Sequence, residues 1–137
     1  MRVVADTNIV ISGLLWRGNP RRILDAARAG DINFFTTAFL LAELEDVLSR
    51  KKFAERLASA GVVVRDLVLG YAALASVIEP AEIEPVILAD PDDDAVLACA
   101  VAAHSEVIVS GDSHLLDLKH YQDIRIVPAA ALVGEIS

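Results

Sequence analysis

Residues 93–112 read DDAVLACAVAAHSEVIVSGD, and this stretch decides the fold. After its leading acids, the run Ala95-Val96-Leu97-Ala98-Cys99-Ala100-Val101-Ala102 is apolar on every side of a helix, so the helix must be buried against a sheet rather than laid on a surface. Val107-Ile108-Val109-Ser110 then supplies a β-branched strand that stops at Gly111-Asp112. Working outward, Arg2-Val3-Val4-Ala5 reads as a short buried strand ending at Asp6, residues 33–36 as a second, Val77-Ile78-Glu79 as a short third and Ile124 to Val127 as the last. Between them the spacing predicts a brief helix from Ile9 to Leu14. A second is capped by Asn19, with Pro20 in its first turn, and is closed by Gly30. Further helices are expected from Thr37 to Leu48, Lys51 to Ala60, Val63 to Ser76, about 93 to 103, and 129 to 136, while Pro80, Pro85 and Pro91 mark 80–91 as a loop. Strands alternating with helices imply an α/β domain built on a parallel sheet.

The chain has 137 residues, within the usual size of one domain, so residues 1–137 are expected to form a single unit. A hydrophobic fraction of 55% excludes a disordered chain. The lone Cys99 excludes a disulfide scaffold and fits a reducing compartment. No stretch approaches the roughly 18–20 apolar residues of a membrane span, and Asp6 interrupts the start before a signal-peptide core can form; no membrane association and a cytoplasmic location are expected.

Charge distribution says more than its sum of −8, which already argues against binding nucleic acid by bulk attraction. All twelve Lys and Arg residues lie in 2–65 or 119–125, whereas residues 66–118 hold eleven acids and no base. Asp90, Asp92, Asp93 and Asp94 form the densest acidic group. Asp6 and Asp112 each lie just past the end of an expected strand, and Asp94 sits in the first turn of the buried helix; in open parallel sheets these places share one rim. Glu43 and Glu45 flank the apolar stripe of the Thr37–Leu48 helix on opposite sides, so spacing leaves either available, while Asp46 should be solvated. Carboxylates meeting at one rim suit Mg²⁺ or Mn²⁺, hard cations that prefer oxygen ligands and that let an acidic site handle a phosphodiester. Arg17, Arg21 and Arg22 follow the first site loop, and Arg50, Lys51, Lys52 and Arg56 follow the Glu43 helix; both groups are candidates for cradling the phosphates of such a substrate.

Competing motifs are absent: there is no phosphate-binding Gly-x-x-x-x-Gly-Lys loop, no Gly-x-Gly-x-x-Gly fingerprint, no zinc-finger spacing and no Gly-x-Ser-x-Gly elbow. Instead Val4-Ala5-Asp6-Thr7-Asn8, Glu43-Leu44-Glu45-Asp46-Val47-Leu48, Asp93-Asp94-Ala95-Val96-Leu97-Ala98 and Val109-Ser110-Gly111-Asp112-Ser113-His114-Leu115-Leu116 resemble, in order and at family spacing, a PIN domain of the VapC-like toxin branch. The resemblance implies a three-layer α/β/α fold with about five parallel strands, a Mg²⁺- or Mn²⁺-dependent endoribonuclease, an RNA substrate, a cognate antitoxin and a homodimer. Residue by residue it maps the catalytic and metal-ligating quartet onto Asp6, Glu43, Asp94 in preference to Asp93, and Asp112, with Asn8 and Ser110 as supporting polar groups. Relatives often carry a further acid where this chain has His114, which opens the question of metal number. The alternatives are a silent PIN-like module that docks a protein or RNA, and a phosphotransfer domain, which needs a second acid where Asn8 stands.

Overall fold

The computed structural model describes residues 1–86 and 91–136. Its elements, in order, are β1 (Arg2–Ala5), α1 (Thr7–Leu15), α2 (Asn19–Arg28), β2 (Asn33–Thr36), α3 (Ala38–Leu48), a single 3₁₀ turn (Lys51–Phe53), α4 (Ala54–Ala60), α5 (Val64–Leu74), β3 (Ser76–Val77), α6 (Pro91–Ala102), β4 (Val107–Val109), α7 (Ser113–Leu118), β5 (His120–Tyr121), β6 (Ile124–Val127) and α8 (Ala129–Ile136). The sheet runs β3-β2-β1-β4-β6-β5, parallel throughout except for the antiparallel edge pair β5–β6. The expected α/β architecture is therefore present, with six strands where about five were expected. The added strand is a two-residue edge too short to carry a hydrophobic period.

Strand alternation builds the layers. On β1, Val3 and Ala5 enter one core with Ile9, Leu24 and Leu44, while Val4 enters the other with Leu97, Cys99 and Ile108. On β4, Val107 and Val109 join the first core and Ile108 the second. Helices α1, α2, α5 and α8 cover one face and α6 and α7 the other, while α3 reaches both, with Leu44 and Leu48 in the first core and Leu40 in the second. The all-apolar character of α6 is satisfied there, with Val96 through Ala100 all buried.

Most boundaries fall within a residue or two of expectation. Asn19 is the first residue of α2 rather than its cap; Gly18 holds the cap position at φ 136°, a conformation open to glycine. The segment after Gly111, for which no element was expected, forms α7, a six-residue helix too short for periodicity to announce. Residues 78–86 carry no regular element, as the prolines required, and Asp90 of the acidic group lies outside the described residues.

The chain order places the site. From β1 the strands proceed outward through β2 to β3; β4 then returns to the other side of β1 and β6 continues away from it. This reversal makes β1/β4 a topological switch point, where the following segments diverge and leave a crevice at the strands' carboxyl ends. Ala5 pairs with Val109, so Asp6 and Ser110 are the first residues beyond the pair on each strand.

Candidate functional site

The crevice is a cavity of about 290 Å³ lined by Asp6, Glu43, Asp93 and Asp112, with Thr7 and Asn8 on one wall and Arg50 and Lys52 among its remaining residues. Its carboxylates come from four elements: the β1–α1 junction, α3, α6 and the β4–α7 junction.

Asp6 is buried and caps α1, its Oδ1 accepting the Ile9 N–H at 3.0 Å. Its Oδ2 accepts the Ser110 hydroxyl, and the Ser110 oxygen in turn accepts the Asp112 N–H at 2.9 Å. Ser110 thus couples two acids from neighbouring strands. Burial raises the Asp6 pKa above the ordinary 3.8; the hydrogen bonds from Ser110, Ile9 and Gly111 oppose that rise, and the Asp112 charge adds to it. Asp112 caps α7 and accepts the His114 N–H at 2.7 Å. Capping and lining are therefore not rival roles for these acids. A helix start at the end of a parallel strand does both.

Glu43 is half-buried and accepts a hydrogen bond from the Thr7 hydroxyl. On α3 it shares a face with Asp46 and Val47, at i+3 and i+4, and these line the cavity together with Arg50, just past the helix end. Glu45 is on the exposed side and does not line it, so the structure separates two glutamates that spacing left equivalent. Asp46 is solvated as expected but pairs with Arg50 at 3.4 Å on the cavity wall.

For the third acid, the cavity lining differs from the residue that the resemblance favoured. Asp93, not Asp94, lines the cavity. Asp93 is 8% exposed and shares the inward face of α6 with Val96, Leu97 and Ala100 at i+3, i+4 and i+7. Asp94 is rotated about 100° around the helix. Its carboxylate accepts the Val86 N–H at 3.2–3.3 Å, which ties the 78–86 segment to α6. Because α6 is apolar on every side, no stripe in the sequence distinguished the two.

Asn8 is exposed on the cavity wall, in the first turn of α1. Thr7 was not singled out from sequence; its place directly after Asp6, at the first position of a helix aimed at the rim, was the available signal. Arg17, Arg21 and Arg22 lie elsewhere, in a separate cleft with Asp25. Arg21 turns inward there, donating to the Gly13 carbonyl at 2.5 Å and the Leu14 carbonyl at 3.1 Å. His114 is exposed in the first turn of α7, with Nδ1 3.6 Å from Asp112 and 3.8 Å from Asp93.

This donor set fits a hard divalent cation. Carboxylate oxygens dominate it, and Asp93, Asp112 and His114 bring ligand atoms within 4.8 Å of one another. Such a group could hold a metal beside Asp6, whose carboxyl is coupled to Asp112 through Ser110. Comparison with known proteins agrees with that chemistry. No curated protein matches the chain. A family model described as PIN domain matches residues 2–114, which span β1 through the start of α7 and carry every acid of the cavity. Members of that family are generally metal-dependent nucleases, and the match covers most of the sequence. The chain belongs to the PIN-domain family.

Proposed function

We propose that this chain is a Mg²⁺- or Mn²⁺-dependent endoribonuclease, with Asp6, Asp93 and Asp112 as metal-holding groups and Glu43 as a further ligand or the base that orients water. The observation that carries the reading is the convergence of Asp6, Glu43, Asp93 and Asp112, from four elements, on one cavity at the β1/β4 switch point, with Asp46 and Asp92 also in its lining. A bound divalent cation supplies Lewis acidity at a phosphodiester and offsets the charge that grows on the leaving oxygen. The chain's own groups do the rest. Ser110 fixes the Asp6 carboxylate relative to Asp112, and Thr7 fixes Glu43, so the acids are aimed before substrate arrives. Glu43 takes the proton of the attacking water. Arg50 and Lys52 at the cavity edge favour the anionic strand over its repulsion by the acids.

We further propose that the protein acts in the cytoplasm as the toxin of a type II toxin–antitoxin pair. The reading rests on the likeness of its four motifs to that branch. Exposed Phe39 on α3, Val63 before α5, Leu69 on α5 and Val77 on β3 offer apolar surface for an antitoxin or a second copy. Among the described residues no single helix is long and apolar enough to cross a membrane.

The test is cleavage of single-stranded RNA by the purified chain. Mn²⁺ or Mg²⁺ should support it, EDTA should stop it, and Asp112→Asn should remove it while the circular dichroism of the fold persists. Calorimetric ion binding without cleavage would instead leave a docking module.

A further inference from the structure

At the far end of α1 from the acids, Trp16 stands 42% exposed at the helix C-cap. The Arg56 guanidinium lies 5.6 Å from its ring centroid, and the ring tilts against Phe53 at 6.2 Å. Arg56 is fixed in place, because its Nε–H donates to the Leu15 carbonyl at 2.7 Å. Lys52 sits over the outer side of the same aromatic pair, 5.1 Å from the Phe53 centroid. Together Trp16, Lys52, Glu55, Arg56 and Ser59 line a surface notch. Lys52 is shared: it lines this notch and the acid cavity as well.

We propose that this notch is a nucleotide subsite. It takes a base and phosphate of single-stranded RNA a short run along the strand from the bond being cut, with Trp16 as the stacking platform and Arg56 and Lys52 as phosphate-facing cations. The inference rests on the nuclease reading and deepens it.

Three observations favour nucleic acid as the occupant. The chain carries a net charge of −8, yet Lys52 and Arg56 both line this notch against the single acid Glu55, and Arg50 and Lys51 directly precede Lys52 in the chain. An exposed tryptophan flanked by cations is the combination that binds single strands, since every base has a π-face and every nucleotide a phosphate. The shared Lys52 connects the notch to the acids, and α1, nine residues long, separates the two by about 13 Å, a span that a short run of single strand bridges. Arg56 is also pre-positioned by Leu15, so less side-chain entropy is lost when a ligand is bound.

Trp16 is the only tryptophan in the chain, so its emission reports on the notch alone. The full chain is titrated with single-stranded oligouridine, in Mn²⁺ and in EDTA, while anisotropy of a labelled strand measures binding independently. Stacking predicts saturable quenching of Trp16. Trp16→Ala should weaken binding about tenfold, and Trp16→Phe, which keeps a ring against Phe53, should recover part of that loss. Lys52→Glu, a change at an exposed position, should weaken binding with the melting temperature unmoved. Binding and cleavage of RNA with Trp16 emission flat, or with affinity unchanged in Trp16→Ala, overturns the subsite and leaves the nuclease reading standing. Quenching by RNA without any metal-dependent cleavage keeps the subsite and removes the nuclease. Quenching by an acidic peptide but not by oligouridine assigns the notch to a protein partner and overturns the proposal.

Discussion

The two ends of α1 carry opposite charge, and comparing them separates what the fold needs from what it does not. At the C-terminal end, Arg21 donates to the Gly13 and Leu14 carbonyls and Arg56 to that of Leu15. These are cations placed where the helix dipole is negative and its last carbonyls lack helical partners. At the N-terminal end, Asp6 caps the helix by the mirror-image logic. There the symmetry breaks. The arginines meet helix carbonyls, whereas Glu43, Asp93 and Asp112 add carboxylates around Asp6 beyond the one that the cap uses. One end is electrostatically settled and the other holds negative charge in excess. Two of those acids also serve the fold, Asp112 by capping α7 and Glu43 by accepting the Thr7 hydroxyl, and together they are the set that a divalent cation would draw on.

The sharpest way to break this comparison is to exchange the fates of two adjacent acids. Asp93→Asn should lower metal-dependent RNA cleavage by about a hundredfold or more, at the upper end of what even outer-shell metal partners contribute. Asp94→Asn should leave cleavage near the wild-type rate. It should instead cost about 0.5–1.5 kcal/mol in a urea melt, because the bond to the Val86 N–H weakens. Steady-state rates on one RNA, with the two variants side by side, decide the matter. A silent Asp93→Asn with a dead Asp94→Asn would restore the reading drawn from sequence.

Asp6→Asn tests whether the excess charge is a burden to the metal-free fold. Burial holds the Asp6 pKa above its ordinary 3.8. Below that ordinary value the residue is protonated both folded and unfolded, and the stability linked to the neutral form is complete. As pH rises through the raised folded pKa, that stability is lost, because the folded state must ionise a buried acid that the unfolded state ionises freely. In EDTA the wild type should therefore weaken from acid toward neutral pH more steeply than Asp6→Asn, and the variant should be the more stable at pH 7, since Asn still caps a helix. Adding Mn²⁺ should raise the wild-type melting temperature and leave the variant nearly unmoved, while cleavage by the variant is lost. A variant less stable than wild type at neutral pH in EDTA would show that Asp6 serves the fold first.

The same contrast explains which parts were legible in the sequence. β1, β4 and α6 announced themselves because burial on every side writes itself as unbroken apolar runs, and the switch-point rule then gathered Asp6 and Asp112 without further information. The rotational phase of α6 was illegible for the same reason. A helix buried all round has no polar face to orient it, so periodicity could not choose between Asp93 and Asp94; the resemblance favoured Asp94, and the structure puts Asp93 on the cavity wall. Glu43 and Glu45 posed a similar ambiguity at the edges of a stripe. The short elements α7 and β5 were missed because six and two residues complete too few periods to stand out. The inward turn of Arg21 was hidden as well, since a side chain that caps a helix through space leaves no pattern in its own neighbourhood.

For Arg21, at the basic end of α1, the expected effect is on stability alone. Arg21→Ala removes two charged donors from the Gly13 and Leu14 carbonyls and should cost about 1–2 kcal/mol in a denaturant melt, with RNA cleavage by the folded protein unchanged. A loss of cleavage that exceeds the loss of folded protein would move Arg21 from the fold to the substrate.

The smallest effect concerns which cation the crowded end prefers. His114 offers an imidazole nitrogen 3.6 Å from Asp112 and 3.8 Å from Asp93, at a position where a carboxylate would have made the donor set wholly oxygen. Imidazole adds little for Mg²⁺, which keeps to oxygen and water, and more for transition ions. If His114 joins the first coordination sphere, calorimetry should give a Mn²⁺ preference over Mg²⁺ that falls a few-fold in His114→Asp. In His114→Ala the Mn²⁺ affinity should drop while the Mg²⁺ affinity barely moves. The two variants together exclude a general charge effect, because Asp adds a negative charge and Ala does not, yet both must narrow the preference. If the ratio of affinities is the same in all three proteins, His114 is a solvated neighbour, and the cation is held by carboxylates alone.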